Sequence, residues 1–193
     1  MSTRTRLPRA EREQQMLATA RGLFAQRGYA DVTMDEVASA VGVTKPLLYT
    51  YFGNKEQLFL AGMQPAAEKL LASVVEAVRG AGTPAAALRE GLHAYFAFLD
   101  ADHVAWRVLY DETLQAGGEI DRAVGEYRER LARLVTAALP VEGPAVEPLA
   151  IAILGAAEAL GRWWTHTQAM PADRAAELLI RTIEPGLRTH ENR

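Results

Sequence analysis

The chain has 193 residues, of which 49 % are apolar and 23 % charged, and its formal net charge is −3. That length gives one or two domains with a real core, and the composition excludes disorder, collagen-like repeats and low complexity. The lack of cysteine excludes disulfides, thiolate metal sites and cysteine nucleophiles, and four histidines (His93, His103, His166 and His190) leave little for a histidine-rich metal site.

The chain opens on a basic arm in which Arg4, Arg6 and Arg9 precede any acid. No apolar stretch follows, as a secretory leader requires. The first periodic segment runs from about Arg9 to Gln26, with Met16, Leu17, Ala20, Leu23 and Phe24 at helical spacing. Gly28 ends it, and Tyr29 is expected to pack back on it. Thr33 to Glu36 form a capping box that starts a second helix of about eight residues, with Val37 and Val41 inward and Gly42 as its stop. Thr44 is expected to cap a third short helix, 45 to 51, with Pro46 in its first turn and Leu48 and Phe52 inward. Asn54 to Gln57 read as another capping box, opening one long helix from 54 to about 79 that passes through Pro65.

Gly80 to Pro84 form a loop, with Thr83 as cap for a fifth helix, about 84–100. A sixth, about 103–115, carries Trp106, Leu109 and Tyr110. The paired glycines Gly117 and Gly118 separate it from a seventh, about 119–139. After the loop from Pro140 to Pro144 comes an eighth, about 145–167, apolar on more than one face. Pro171 opens a ninth, 172–184, which Pro185 and Gly186 are expected to end, leaving a tail. The apolar run from Leu149 to Leu160 contains Glu158 and is too short to cross a membrane. The expectation is an all-α, cytoplasmic protein with no membrane partner, no cofactor and no metal.

Charge divides the chain. Residues 1–60 hold 8 Lys/Arg and 6 Asp/Glu, and the rest hold 13 and 18. A slightly positive first part fits contact with a polyanion, and it also fits an ordinary solvated terminus.

Residues 33–52 place two short helices either side of a tight turn at Gly42, a helix-turn-helix pattern whose second helix lies in the DNA major groove. The second helix offers the matching chemistry. Thr44 and the helix start suit a phosphate. Lys45 reaches a phosphate or a guanine edge, Leu47 a thymine methyl, and Thr50 a base edge. Tyr49 and Tyr51 are long enough for backbone phosphate, although core packing of one of them fits equally. Lys55 opposes the dipole of the helix that follows, a cost that a phosphate at the same place would reverse.

Ala20 to Tyr29, Thr33 to Ala38, Ala40 to Lys45 and Leu48 to Leu58 together resemble the DNA-binding domain of the TetR family of bacterial transcriptional regulators. The match is dense over roughly residues 12–63 and covers only length and helical character beyond. The resemblance implies a homodimer of subunits with about nine helices. Three N-terminal helices would bind an operator and the others would form a ligand and dimer body. It divides the chain at 1–53 and 54–193, with helix 54–79 joining the two parts. It implies a repressor released by a small molecule; the dimer would read a near-palindrome, and the aromatic candidates named below weight the effector toward a mostly hydrophobic one. DNA contacts carry over to Thr33, Thr44, Lys45, Tyr49, Thr50, Tyr51 and Lys55. Pro46 and Leu47 depart from the small and small polar residues frequent there, so a base hydrogen bond from position 47 is lost. The dimer interface falls on 145–167 and 172–184.

For the effector, the candidates are Tyr95, Phe96, Phe98, Trp106, Tyr110, Tyr127, Trp163, Trp164 and His166, all expected inside the bundle, with His93, Arg107, Glu158 and Arg162 as possible sources of polarity. Each residue taken singly fits core or interface as well. Two other classes remain open on the residues alone. An enzyme would draw on Asp111, Glu112 and His103, yet no HExxH, phosphate loop or serine elbow is present. A helical protein-interaction module would use the apolar eighth helix but leaves the 33–58 pattern unexplained.

Overall fold

The computed structural model describes residues 8–104, 107 and 118–191. Among these residues lie eight α-helices and no strand. They are α1 Arg9–Arg27, α2 Met34–Val41, α3 Lys45–Phe52, α4 Lys55–Gly80, α5 Pro84–Ala101, α6 Gly118–Ala138, α7 Val146–Thr167 and α8 Ala172–Glu191. The helix expected over 103–115 lies outside the described residues, apart from His103, Val104 and Arg107, which are helical.

Local chemistry sets the ends of the first helices. Thr33 caps α2 with its hydroxyl accepting from the Glu36 amide, while the Glu36 carboxylate accepts from the Thr33 amide at 2.8 Å. Gly42 closes α2 in the left-handed conformation at φ 77°, which a side chain would resist. Thr44 occupies the cap position of α3 but makes no side-chain cap, against expectation. The reason is visible: Pro46 has no N–H to offer, and the Leu47 amide bonds the Thr44 carbonyl at 3.1 Å. Asn54 accepts from the Gln57 amide at 2.8 Å, which is half of the expected box. The Gln57 side chain reaches instead to Glu119 on α6.

The helices α1, α2 and α3 pack on one another and on the start of α4. Met16, Ala20 and Phe24 of α1, Val37 of α2, Leu48 and Phe52 of α3 and Leu58, Phe59 and Met63 of α4 are buried together. Phe59 meets Phe24 and Tyr29 edge-on, with ring centroids 5.2 and 5.1 Å away. That geometry adds about 0.5–1.5 kcal/mol per pair to the area the rings bury. In the remainder, α4 lies against α5 and α6, α5 against α8, and α7 against α6 and α8. By length and composition α4 could cross a membrane, but half of its apolar window is buried inside the protein.

The last helix corrects one expectation. It does not stop at Pro185 but continues to Glu191. A proline inside a helix costs about 3 kcal/mol, because a backbone N–H hydrogen bond is lost and the ring crowds the preceding turn. Packing along α5 offsets this: Leu179, Ile180 and Leu187 are buried, and Arg89 of α5 donates to Glu177 at 2.8 Å and to Glu184 at 2.7 Å.

Candidate nucleic-acid interface

The helix α3 has two unlike sides. Leu48 and Phe52 are turned into the core, and Leu47 is half-buried against it. Thr44, Lys45, Pro46, Tyr49 and Thr50 are exposed, Tyr49 at 41 %. Such an arrangement holds a short helix by one face and leaves the other free to enter a groove about 12 Å wide. Tyr51 is half-buried, packed on Phe52, with the Arg9 guanidinium 5.3 Å from its ring centre. The first residue of α1 therefore lies beside α3 and adds positive charge there.

Several of the exposed groups are already engaged. The Lys45 ammonium donates to Asp35 at 2.6 Å, and this bond raises its pKa, so the charge persists at all physiological pH. A phosphate would have to compete with Asp35 for it. The Thr50 hydroxyl donates to the Pro46 carbonyl at 2.8 Å and keeps acceptor capacity for a base edge. The Thr33 hydroxyl is held by Glu36. Lys55 donates to the Ala30 carbonyl at 3.2 Å, its ammonium 4.3 Å from the centre of the Tyr29 ring. It is thus tucked against the turn between α1 and α2.

The scaffold under α3 is charged and well braced. Arg27 at the end of α1 donates to Glu36 at 2.7 Å and to the Asp31 carbonyl at 2.5 Å. The Arg27 bond first, then those from Thr33, hold the Glu36 carboxyl at about 2, well below the ordinary range. Sequence reasoning missed Asp35, Arg9 and Arg27 in these roles. The signal for Asp35 was available, since it faces Lys45 ten residues on, across the Gly42 turn.

In the body, the predicted effector residues separate. Tyr95, Phe96, Phe98, Tyr127 and Trp164 are buried, and the Trp164 indole donates to the Met170 carbonyl at 2.7 Å. Trp163 is 42 % exposed and His166 is exposed, with Nδ1 2.7 Å from the Arg162 carbonyl. The expectation that these two lie inside the bundle is corrected: they fall on the outer side of a turn of α7 whose inner side is Trp164 and Thr165. Trp106 and Tyr110 lie outside the described residues. A cavity of about 40 Å³ sits among α4, α5, α6 and α7, walled by Val74, Leu88, Leu131, Ile153 and Leu154 among others. Among the described predicted residues, only Tyr95 lines it. The aliphatic wall has no feature in the sequence to distinguish it from core. Of the predicted polar sources, Glu158 is buried at 6 % and takes two bonds from Arg128, so it joins α7 to α6.

Comparison with known proteins bears on both regions. A model for bacterial regulatory proteins of the tetR family matches residues 16–61, and one for the tetracyclin repressor-like C-terminal domain matches residues 84–185. The HTH-type transcriptional activator FasR of Mycolicibacterium smegmatis is 28 % identical over 187 residues, covering 94 % of this chain and 85 % of that protein. A TetR-like transcriptional regulator from Rhodococcus sp. RHA1 is 33 % identical, covers 95 % of this chain and 99 % of its own, and superposes with a TM-score of 0.82. A tetR-family transcriptional regulator from Streptomyces coelicolor is 27 % identical over 95 % of this chain and 82 % of its own, with a TM-score of 0.74.

Proposed function

Since the chain belongs to the tetR family of bacterial regulatory proteins, a class of ligand-responsive, non-enzymatic DNA-binding regulators, we propose that it is a cytoplasmic repressor that grips a palindromic operator as a homodimer and lets go when a small hydrophobic effector enters its body. The observation that carries DNA reading is the split face of α3, with Leu48 and Phe52 inward and Lys45, Tyr49 and Thr50 outward. Residues 1–53 form the reading head, residues 54–193 the body, and α4 joins them. Thr33, Thr44, Lys45, Tyr49, Thr50, Tyr51 and Lys55 meet the backbone or base edges, and Leu47 and Pro46 add apolar contact.

The test is titration of duplex DNA over a range of salt. Affinity falls steeply as salt rises, because Lys and Arg displace condensed counterions. Lys45→Ala weakens binding and lowers the salt slope by about 1. An affinity indifferent to salt contradicts the reading and favours a protein-interaction module.

A dimer is supported by the exposed apolar side chains of the last two helices: Ile151 at 59 %, Trp163 at 42 % and Leu178 at 51 %. On α7, Ile151 and Trp163 lie equally far before and after Ala157, with the small exposed residues Gly155 and Ala159 between them. An antiparallel pairing of two α7 helices about a two-fold axis would seat each Ile151 on the partner copy's large aromatic. The chain has no cysteine, so Ile151→Cys combined with Trp163→Cys should form a covalent dimer on oxidation, and neither substitution alone should. Absence of a covalent dimer in the double variant overturns this pairing.

An apolar effector is supported by the wall of the cavity. Its 40 Å³ is far under the ~300–1,000 Å³ of ligand pockets, so an effector must push α4 away from α5, α6 or α7. The same displacement would disturb the head that α4 carries. FasR is named an activator, so a reporter assay should score either sign; expression that rises when the protein is deleted supports repression.

A further inference from the structure

The first turn of α4 carries three consecutive side chains that tie the head to the body. Lys55 reaches back to the head, donating to the Ala30 carbonyl beside the Tyr29 ring. Glu56 reaches the other way. Its Oε1 accepts from the backbone amides of Glu119 at 2.9 Å and Ile120 at 3.3 Å, in the first turn of α6. Gln57 donates from Nε2 to the Glu119 carboxylate at 2.6 Å.

Both sides are shaped for this contact. A carboxylate is favoured at a helix N-terminus, where amides without helical partners point outward and the dipole is positive. Opposite it stands Gly118, at φ 93°, where an added Cβ would lie 3.2 Å from Glu56 Oε1. A side chain there would be strained and would press on the carboxylate. Glu56 also belongs electrostatically to the head: after burial, its charge is the second cause that raises the Tyr29 phenol above its ordinary pKa. Farther along the same pair of helices Arg130 is bonded to Glu68 at 3.0 Å, and a groove of about 470 Å³ lies between α4 and α6. Of these links, Glu56 is the one whose charge also acts on a residue of the head, Tyr29.

We propose that Glu56 is the positioning residue through which the body sets the orientation of the reading head. While the amides of Glu119 and Ile120 hold its carboxylate, α4 begins in one place, and Lys55 and α3 are presented in one orientation. When the start of α6 is withdrawn, the carboxylate is released, and the head is free to swing. This inference rests on the DNA-reading function proposed above.

The experiment uses the full chain and its lack of cysteine. Ala40→Cys on α2 and Thr136→Cys on α6, both exposed, carry spin labels, and labelled chains are diluted with unlabelled protein so that intrachain distances are read. Glu56→Ala broadens the head-to-body distance distribution and weakens binding to a duplex selected with the wild-type protein about tenfold, a typical size for coupling between sites. Gly118→Ala attacks the same contact from α6 and acts in the same direction. Glu56→Gln keeps an acceptor oxygen and falls between wild type and Glu56→Ala. A lower melting temperature with unchanged distances means a merely structural cap and overturns the proposal. Broadened distances with unchanged affinity overturn it as well. The distances need no DNA, so failure of the wild type to select any duplex would sink the DNA-reading function separately.

Discussion

The head and the body are both helical, yet they are built on opposite principles. In the head, α2 and α3 have only eight residues each and are stopped by Gly42 and Gly53. Helices that short do not persist alone, so Met34, Val37 and Ala38 of α2 and Leu48 and Phe52 of α3 are buried in the core that also holds Phe24 and Phe59. In the body, helices of 18 to 26 residues enclose a cavity with an apolar wall. A reading surface has to be fixed before DNA arrives, since looseness there is subtracted from affinity. A site for an apolar effector can stay nearly closed when empty and open on binding.

The largest effect that would sharpen this contrast lies where the start of α4 packs under the head. Phe59→Ala removes a fully buried ring that touches Phe24 and Tyr29 and should cost about 3–5 kcal/mol in denaturant unfolding. The body should be more forgiving. Ile153→Ala truncates a wall that already borders empty space, and should cost near the lower end of about 2–5 kcal/mol. Equal losses at the two sites would break the comparison.

Next comes the reading face itself. Tyr49→Phe removes only a hydroxyl from an exposed ring. It should leave melting unchanged and weaken operator binding by about 1 kcal/mol, roughly fivefold in Kd. Unchanged affinity would sink the phosphate role of this hydroxyl.

The smallest effect concerns pH. Glu36 titrates at about 2 in the folded head, chiefly because of its bond from Arg27. A carboxyl whose folded pKa is depressed stabilises the fold above its unfolded value and loses that contribution as pH falls through the folded one. Melting of the head should therefore drop between about pH 4.5 and pH 2, and less so in Glu36→Gln. The same drop in both proteins would remove Glu36 from the account.

The contrast also explains what could be read from the residues alone. Head boundaries were legible because each is marked by a chemically specific signal: Thr33 with Glu36, Gly42, Pro46, Asn54. Where two signals competed, the reading failed, as at Thr44, whose cap donor is removed by Pro46. In the body, outcomes depend on contacts distant in sequence. Pro185 looks like a stop until Leu187 and Glu184 are seen packed and bonded along α5. Trp163 and Trp164 are neighbours in sequence but opposite in fate, exposed and buried, and helical periodicity alone does not say which one faces in. Glu56 was legible only as a first-turn acid; its partners on α6 are more than sixty residues away.

The most direct test of the central claim is selection of duplexes from a random pool by the purified protein at physiological salt. The account predicts enrichment of two half-sites in inverted orientation, centred about one DNA turn or a multiple apart, and loss of that enrichment in Lys45→Ala. Enrichment of a single unrepeated site would contradict the dimeric reader, and no enrichment at all would contradict DNA reading by α3.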